Sequence, residues 1–176
     1  MVSDLTGLPV SNASLLDEAT ACAEAMMMCI RFSNNKSKVL IDPQLHPQTK
    51  NVLKTRCDPL DLILTEGQIN LEKTPEDLAC VIIQYPGTEG KIDNFEKQIK
   101  NFKNNGAMVI VATDLLALTI LKSPGELGAD VAIGSAQRFG VPLGFGGPHA
   151  AFFATREKYI RKIPGRIIGV SIDSKG

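Results

Sequence analysis

Short apolar runs recur along the chain, each bounded by polar, Pro or Gly positions. Those at 38–41, 60–64, 80–83, 108–112, 129–133, 150–154 and 167–170 have the length and β-branched content of buried strands. Between them the apolar spacing changes. Ile92, Phe95, Ile99 and Phe102 recur every three or four residues with Lys and Glu between them, which predicts a helix closed by Asn104-Asn105-Gly106. An Ala- and Met-rich run to Phe32 predicts a first long helix, opened by Ser14-Leu-Leu-Asp17 as a capping box. Pro47 suits the first turn of a second helix to Arg56, and residues 156–163 predict a late one. Thr74-Pro75 marks a turn or short helix over 71–77.

Continuous apolar strands alternating with helices imply an α/β fold whose mostly parallel sheet is covered on both faces. Such sheets gather ligand groups at the carboxyl ends of their strands. Asp114 and the glycine-rich loop 134–148 both fall there. No repeat or linker interrupts the pattern, and 176 residues suit one domain. The polar end Asp173-Ser-Lys-Gly176 predicts a chain that stops before its next packed element.

Composition removes several functions. Lys+Arg and Asp+Glu are 19 each, a formal net charge of zero, so neither nucleic acid nor a membrane surface is an expected partner. No apolar run reaches the ~20 residues of a membrane span. The first basic residue is Arg31, so neither a secretory signal nor a mitochondrial presequence is read at the start. Cys22, Cys29, Cys57 and Cys80 match no zinc spacing; they are expected as buried thiols of a reducing compartment, and no metal site is expected. Met26-Met27-Met28 is expected as core filling.

Few motifs carry chemistry. Gly144-Phe-Gly146-Gly147-Pro148-His149 lacks the Lys-Ser/Thr of a Walker loop, and a strand rather than a helix follows it. Its glycines serve either a tight turn or a close approach to phosphate. Asp114 after a buried strand suits either a cofactor ring nitrogen or the cap of a helix over 115–121. His46 precedes a helix start, and His149 either faces a site or fills a strand end. No nucleophile stands near either, so a triad is unsupported. The helix start at residues 11–14 would suit a phosphate, but Asp17 and Glu18 fill that first turn with carboxylates.

Taken together, five segments resemble one family. They are residues 8–20 (LPVSNASLLDEAT), 84–91 (QYPGTEGK), 112–118 (ATDLLAL), 134–154 (GSAQRFGVPLGFGGPHAAFFA) and 164–170 (PGRIIGV). They are similar to the P-protein of the glycine cleavage system, glycine dehydrogenase (decarboxylating), over nearly the whole chain. The resemblance implies the large domain of a pyridoxal-phosphate (PLP) transferase of fold type I. In that family PLP takes glycine, releases CO₂ and passes the aminomethyl group to the lipoyl arm of H-protein. Two related halves make up the enzyme, and the Schiff-base lysine belongs to the C-terminal half.

This chain resembles the middle of the N-terminal half. An upstream segment and the C-terminal small domain of the family are expected to lie beyond it. Counting from Gly128-Ala-Asp130 puts the lysine position at Arg138; counting back from Pro142 puts it at Gln137. Neither side chain is a usable nucleophile. Asp114 matches the pyridinium partner. The resemblance thus implies a vestigial site at Asp114, Gln137 and Arg138, with no catalytic residue and no covalent cofactor on this chain. Gly144, Gly146, Gly147 and His149 are expected to wall the partner's site. The implied partners are the lysine-bearing half, which holds PLP, and lipoylated H-protein, in a dimeric assembly acting on glycine. The implied compartment is the mitochondrial matrix in a eukaryote and the cytoplasm in a bacterium. Two other readings stand beside this one: a truncated domain without activity, and an independent PLP enzyme, for which Lys122 is the lysine nearest Asp114 in sequence.

Overall fold

A computed structural model describes residues 1–34, 36–69, 74–168 and 172–174. Among them one seven-stranded sheet runs in the order β1-β7-β6-β5-β4-β2-β3. Its strands are β1 (Val10–Ser11), β2 (Lys38–Ile41), β3 (Ile63–Glu66), β4 (Leu78–Tyr85), β5 (Met108–Thr113), β6 (Val131–Ser135) and β7 (Ala151–Thr155). The five from β3 to β6 pair in parallel, while β7 runs antiparallel to β6 and β1 antiparallel to β7. The helices are α1 (Val2–Thr6), α2 (Glu18–Phe32), α3 (Pro47–Cys57), α4 (Glu96–Asn104) and α5 (Pro124–Leu127).

The period of two along a strand divides the core into two layers. Cys80 and Ile82 of β4 join Ile110 and Ala112 of β5 beneath α2 and α3. Val81, Ile83 and Tyr85 join Val109 and Val111 on the other face, against Ile99 and Phe102 of α4. All eight residues of β4 are buried, as a central parallel strand requires. The four cysteines are free and buried, and Met26 and Met28 lie in the α2 layer.

Several boundaries depart from the apolar pattern for local reasons. Ser14 does not cap α2. Asp17 does, its carboxylate accepting from Thr20 N–H at 2.7 Å. β3 begins later than expected because Asp58–Leu60 form a 3-10 turn and Asp61 adopts the left-handed region at φ 52°. α4 begins at Glu96, whose N–H is held by Asn94 Oδ1 at 3.0 Å, so exposed Ile92 lies outside it. Over 115–121 only a 3-10 turn at Ala117–Thr119 forms, and over 156–163 a 3-10 helix at Glu157–Lys162, which brings Tyr159 to 4.9 Å from Phe32. The expected turn over 71–77 is a turn at Glu76–Asp77, its first three residues lying outside the described ones. The expected strand over 167–170 also falls partly outside them, and Ile167 and Ile168 are not in a strand. Short α1 and β1 and the capping box that starts α5, where Ser123 and Glu126 hold each other's backbone, had no apolar periodicity to announce them.

Candidate functional site

Parallel strands β2, β4, β5 and β6 end on one edge of the sheet, and their following loops meet there. After β5, Asp114 takes two partners. Its Oδ1 accepts from Leu116 N–H at 2.9 Å, and its Oδ2 lies 3.3 Å from Arg138 Nη1. Arg138 belongs to a 3-10 turn, Gln137–Phe139, that follows β6. The cap reading of Asp114 therefore holds locally for a turn rather than a helix, and its other oxygen is engaged by a guanidinium.

Gln137 turns the other way. It lines a cavity of about 610 Å³ together with Asp17, Glu18, His46, Thr49, Ser135 and His149. The structure thus gathers Gln137 and His149 at one opening and pairs Asp114 with Arg138 beside it. Among the described residues, no lysine lines the cavity. Lys122 is bound to Glu96 at 2.7 Å and borders a different hollow with Tyr85 and Ile92.

The glycine run forms a tight turn. Gly146 and Gly147 N–H groups both bond to Leu143 C=O, at 2.9 and 3.0 Å. Gly144 has φ 48°, and a Cβ there would lie 2.1 Å from Gly147 O, so the turn demands glycine at that position. Space around Gly146 and Gly147 is open to 4 Å. The turn pushes Leu143 and Phe145 into solvent, Phe145 completely.

The head of α2 carries the strongest electrostatic feature. Asp17 caps the helix with its own carboxylate, and Glu18 follows. Burial pushes the Glu18 carboxyl up to about 7, and the nearby Asp114 and Asp17 carboxylates push the same way. Ser135 N–H and the Gln84 side-chain amide face it and oppose the rise. His46 Nε2 lies 3.9 Å from Glu18 Oε1, and burial lowers the His46 pKa. Gln84 and its contact with Glu18 escaped sequence reasoning. The available signal was a lone amide at the end of the apolar run Cys80-Val-Ile-Ile83.

Comparison with known proteins puts this geometry in context. Residues 1–176 match the family model described as Glycine cleavage system P-protein. Glycine dehydrogenase (decarboxylating) A, mitochondrial, of Flaveria pringlei is 57% identical over 178 residues, covering all of this chain and 17% of that protein. Glycine dehydrogenase (decarboxylating) 2 of Colwellia psychrerythraea is 56% identical over 177 residues, covering all of this chain and 18% of that protein. A solved glycine decarboxylase (P-protein) of the glycine cleavage system, in inhibitor-bound form, superposes with a TM-score of 0.92 at 32% identity, covering all of this chain and 41% of that one. A cystathione gamma lyase of Micromonospora echinospora superposes at 0.71 with 15% identity, over 91% of this chain and 42% of that one, a likeness of fold alone. The sheet is that of PLP-dependent enzymes of fold type I.

Proposed function

Since the chain belongs to the glycine cleavage system P-protein family, we propose that it is the non-catalytic part of a glycine decarboxylase, assembled with a half that carries the cofactor lysine. The chain spans 17% of the length of its Flaveria relative, so the activity belongs to a larger assembly. In that assembly PLP would activate glycine for decarboxylation, and H-protein would receive the aminomethyl group on its lipoyl arm.

The observation that carries this reading is the Arg138–Asp114 pair. On this chain the residues present do not fit PLP. A ring nitrogen needs a free carboxylate, and Asp114 is engaged by a guanidinium and an amide. A Schiff base needs an unprotonated amine, and the side chain entering the cavity at the end of β6 is the Gln137 amide. A phosphate needs the open N–H groups of a helix start, and α2 is capped by Asp17 with Glu18 next to it. Arg138 and Gln137 divide the vestigial site between them, one on the pyridinium partner and one in the cavity.

A second role goes with the first. The Gly144–Gly147 turn presents Leu143 and Phe145 to solvent, where they are available to a partner. The turn and His149 then wall the lysine-bearing half's site. The domain extends in the native protein to the family's upstream segment and small domain. Its compartment is the matrix in a mitochondrial host lineage and the cytoplasm in a bacterial one.

The test is a PLP titration of the purified chain, alone and mixed with a lysine-bearing half, then borohydride reduction and peptide mapping. The expected result is label on the partner's lysine alone, with glycine decarboxylation gained on mixing. Stoichiometric label on a lysine of this chain would refute the assignment.

A further inference from the structure

Thr49, in the first turn of α3, is 2% exposed and lines the cavity of about 610 Å³, yet its hydroxyl has no hydrogen-bond partner among the described residues. A buried hydroxyl left unpaired is costly unless something outside the chain satisfies it. Other polar groups on the same walls are also unused. Ser135 Oγ accepts from Gln137 N–H at 3.2 Å, and its own proton has no acceptor among the described residues. The Gln48 and Gln137 side-chain amides line the cavity, likewise without a partner among the described residues. These neutral groups both donate and accept, and they face one space with the volume of a small-molecule site.

The charge of the walls is one-sided. Asp17 and Glu18 line the cavity at the head of α2, and among the described residues neither Lys nor Arg does. Arg138 lies beside it, already on Asp114. Ser135 N–H and the Gln84 side-chain amide bond to Glu18 but bring no charge. His46 is the nearest source of a countercharge. Its Nε2 stands 3.9 Å from Glu18 Oε1, beyond hydrogen-bond reach, and burial disfavours its charged form. The positive end of α2 is worth about half an elementary charge, which two carboxylates outweigh. The walls therefore suit a cation. A phosphate or carboxylate would meet Asp17 and Glu18 with no guanidinium or ammonium to hold it.

We propose that this cavity binds a hydroxylated organic ammonium compound, an amino alcohol or amino sugar, with its ammonium against Asp17 and Glu18 and its hydroxyls on Thr49, Ser135 and Gln137. The inference rests on the reading that no PLP occupies this chain. Thr49 and Gln48 come from α3, Ser135 and Gln137 from the end of β6 and the turn after it, and the carboxylates from the head of α2. A ligand held by all of them would tie the three elements together at the sheet edge.

The test uses the native protein with all its segments and its partner half, treated with borohydride so that PLP is fixed to its lysine and cannot exchange with an added amine. Peptide mapping of that sample checks the premise separately: label on a lysine of this chain refutes the cofactor-free reading, whatever the amine does. Glucosamine is then titrated by calorimetry, with glucose as the uncharged match. Glucosamine should saturate a single site, and glucose should bind at least about tenfold more weakly. Glu18→Gln should weaken glucosamine by a similar factor and leave glucose unchanged. Thr49→Val should weaken both sugars while its urea midpoint stays equal or rises, because an unpaired hydroxyl loses no bond. Equal affinity for the two sugars would overturn the ammonium assignment. So would the absence of saturation by glucosamine with label on the partner's lysine alone. A lower urea midpoint for Thr49→Val would mean that the hydroxyl is already paired, and the ligand would lose its anchor on α3.

Discussion

Arg138 Nη1 lies 3.3 Å from Asp114 Oδ2, so the turn after β6 neutralises the carboxylate that follows β5. Sites that hold PLP keep such a carboxylate for the pyridine nitrogen. Here the same two residues pin neighbouring loops together, and the exposed guanidinium contributes only a fraction of a kcal/mol to stability. Its consequence is chemical: the Asp114 carboxylate is already paired.

Placing a lysine at this edge should therefore not by itself create a cofactor site. Gln137→Lys supplies an amine at the cavity but leaves Arg138 on Asp114 and the carboxylates at the head of α2. After incubation with PLP and borohydride, peptide mapping should find no fixed label at position 137. Stoichiometric labelling there would mean that neither the ion pair nor Asp17 and Glu18 keep the cofactor out.

Gly134 of β6 offers a test of how tightly this edge is built. A Cβ there would lie 2.0 Å from Thr113 O and 2.7 Å from the Phe152 ring. Backbone cannot yield as a flexible side chain does, so β6 would have to move off β5. Gly134→Ala should cost about 2 kcal/mol, in the range for overpacking, read as a lower urea midpoint. Gly147→Ala, with open space around it, should leave the midpoint unchanged within about 0.5 kcal/mol.

The sheet was readable because its central strands are buried on both faces, which forces continuous apolar runs such as Cys80-Val-Ile-Ile83. Edge elements were harder. β1 has two residues and α1 five, too short for any period to declare itself. Asp17 rather than Ser14 caps α2, a choice made by the chain's entry beside β7, where Leu15 bridges Ala151. At the site, Asp114 was visible from its place after a strand, and the acidic head of α2 from its composition. The meeting of Glu18, Gln84 and His46 was not, because it joins three elements whose approach only the fold determines.

Glu18 should make stability depend on pH in the direction opposite to an ordinary paired carboxylate. Its folded pKa, about 7, lies above its usual 4.5. Between these values the folded chain holds a proton that the unfolded chain has released. Stability is full below the unfolded pKa, declines as pH rises through this window, and levels off beyond the folded one. The total decline is about 3 kcal/mol at most. Glu18→Gln keeps a neutral donor in place and should flatten this part of the curve. Urea unfolding across the window checks it, and an equally steep decline in the variant would assign the slope to other groups.

Asp130 should be the most sensitive charged position. Its side chain is 3% exposed, and its Oδ2 accepts from Val109 N–H at 3.0 Å. Its Oδ1 lies 3.2 Å from Lys103 Nζ and 3.4 Å from Tyr159 OH. Arg156 Nε stands 4.0 Å away and donates to Ala129 C=O. Asp130 therefore joins β5, β6, α4 and the turn after β7. Asp130→Ala would strand a buried amide and leave two cations facing each other without their shared anion, at a cost of about 3 to 5 kcal/mol. Lys103→Met should cost about 1 kcal/mol, because Lys103 is nearer the surface and Arg156 remains to balance the carboxylate. Chemical denaturation of both variants separates two accounts. A much larger loss for Asp130→Ala identifies the carboxylate as the shared centre. Equal losses would mean that the surface-facing pair, and not the buried amide and hydroxyl, provides what Asp130 contributes.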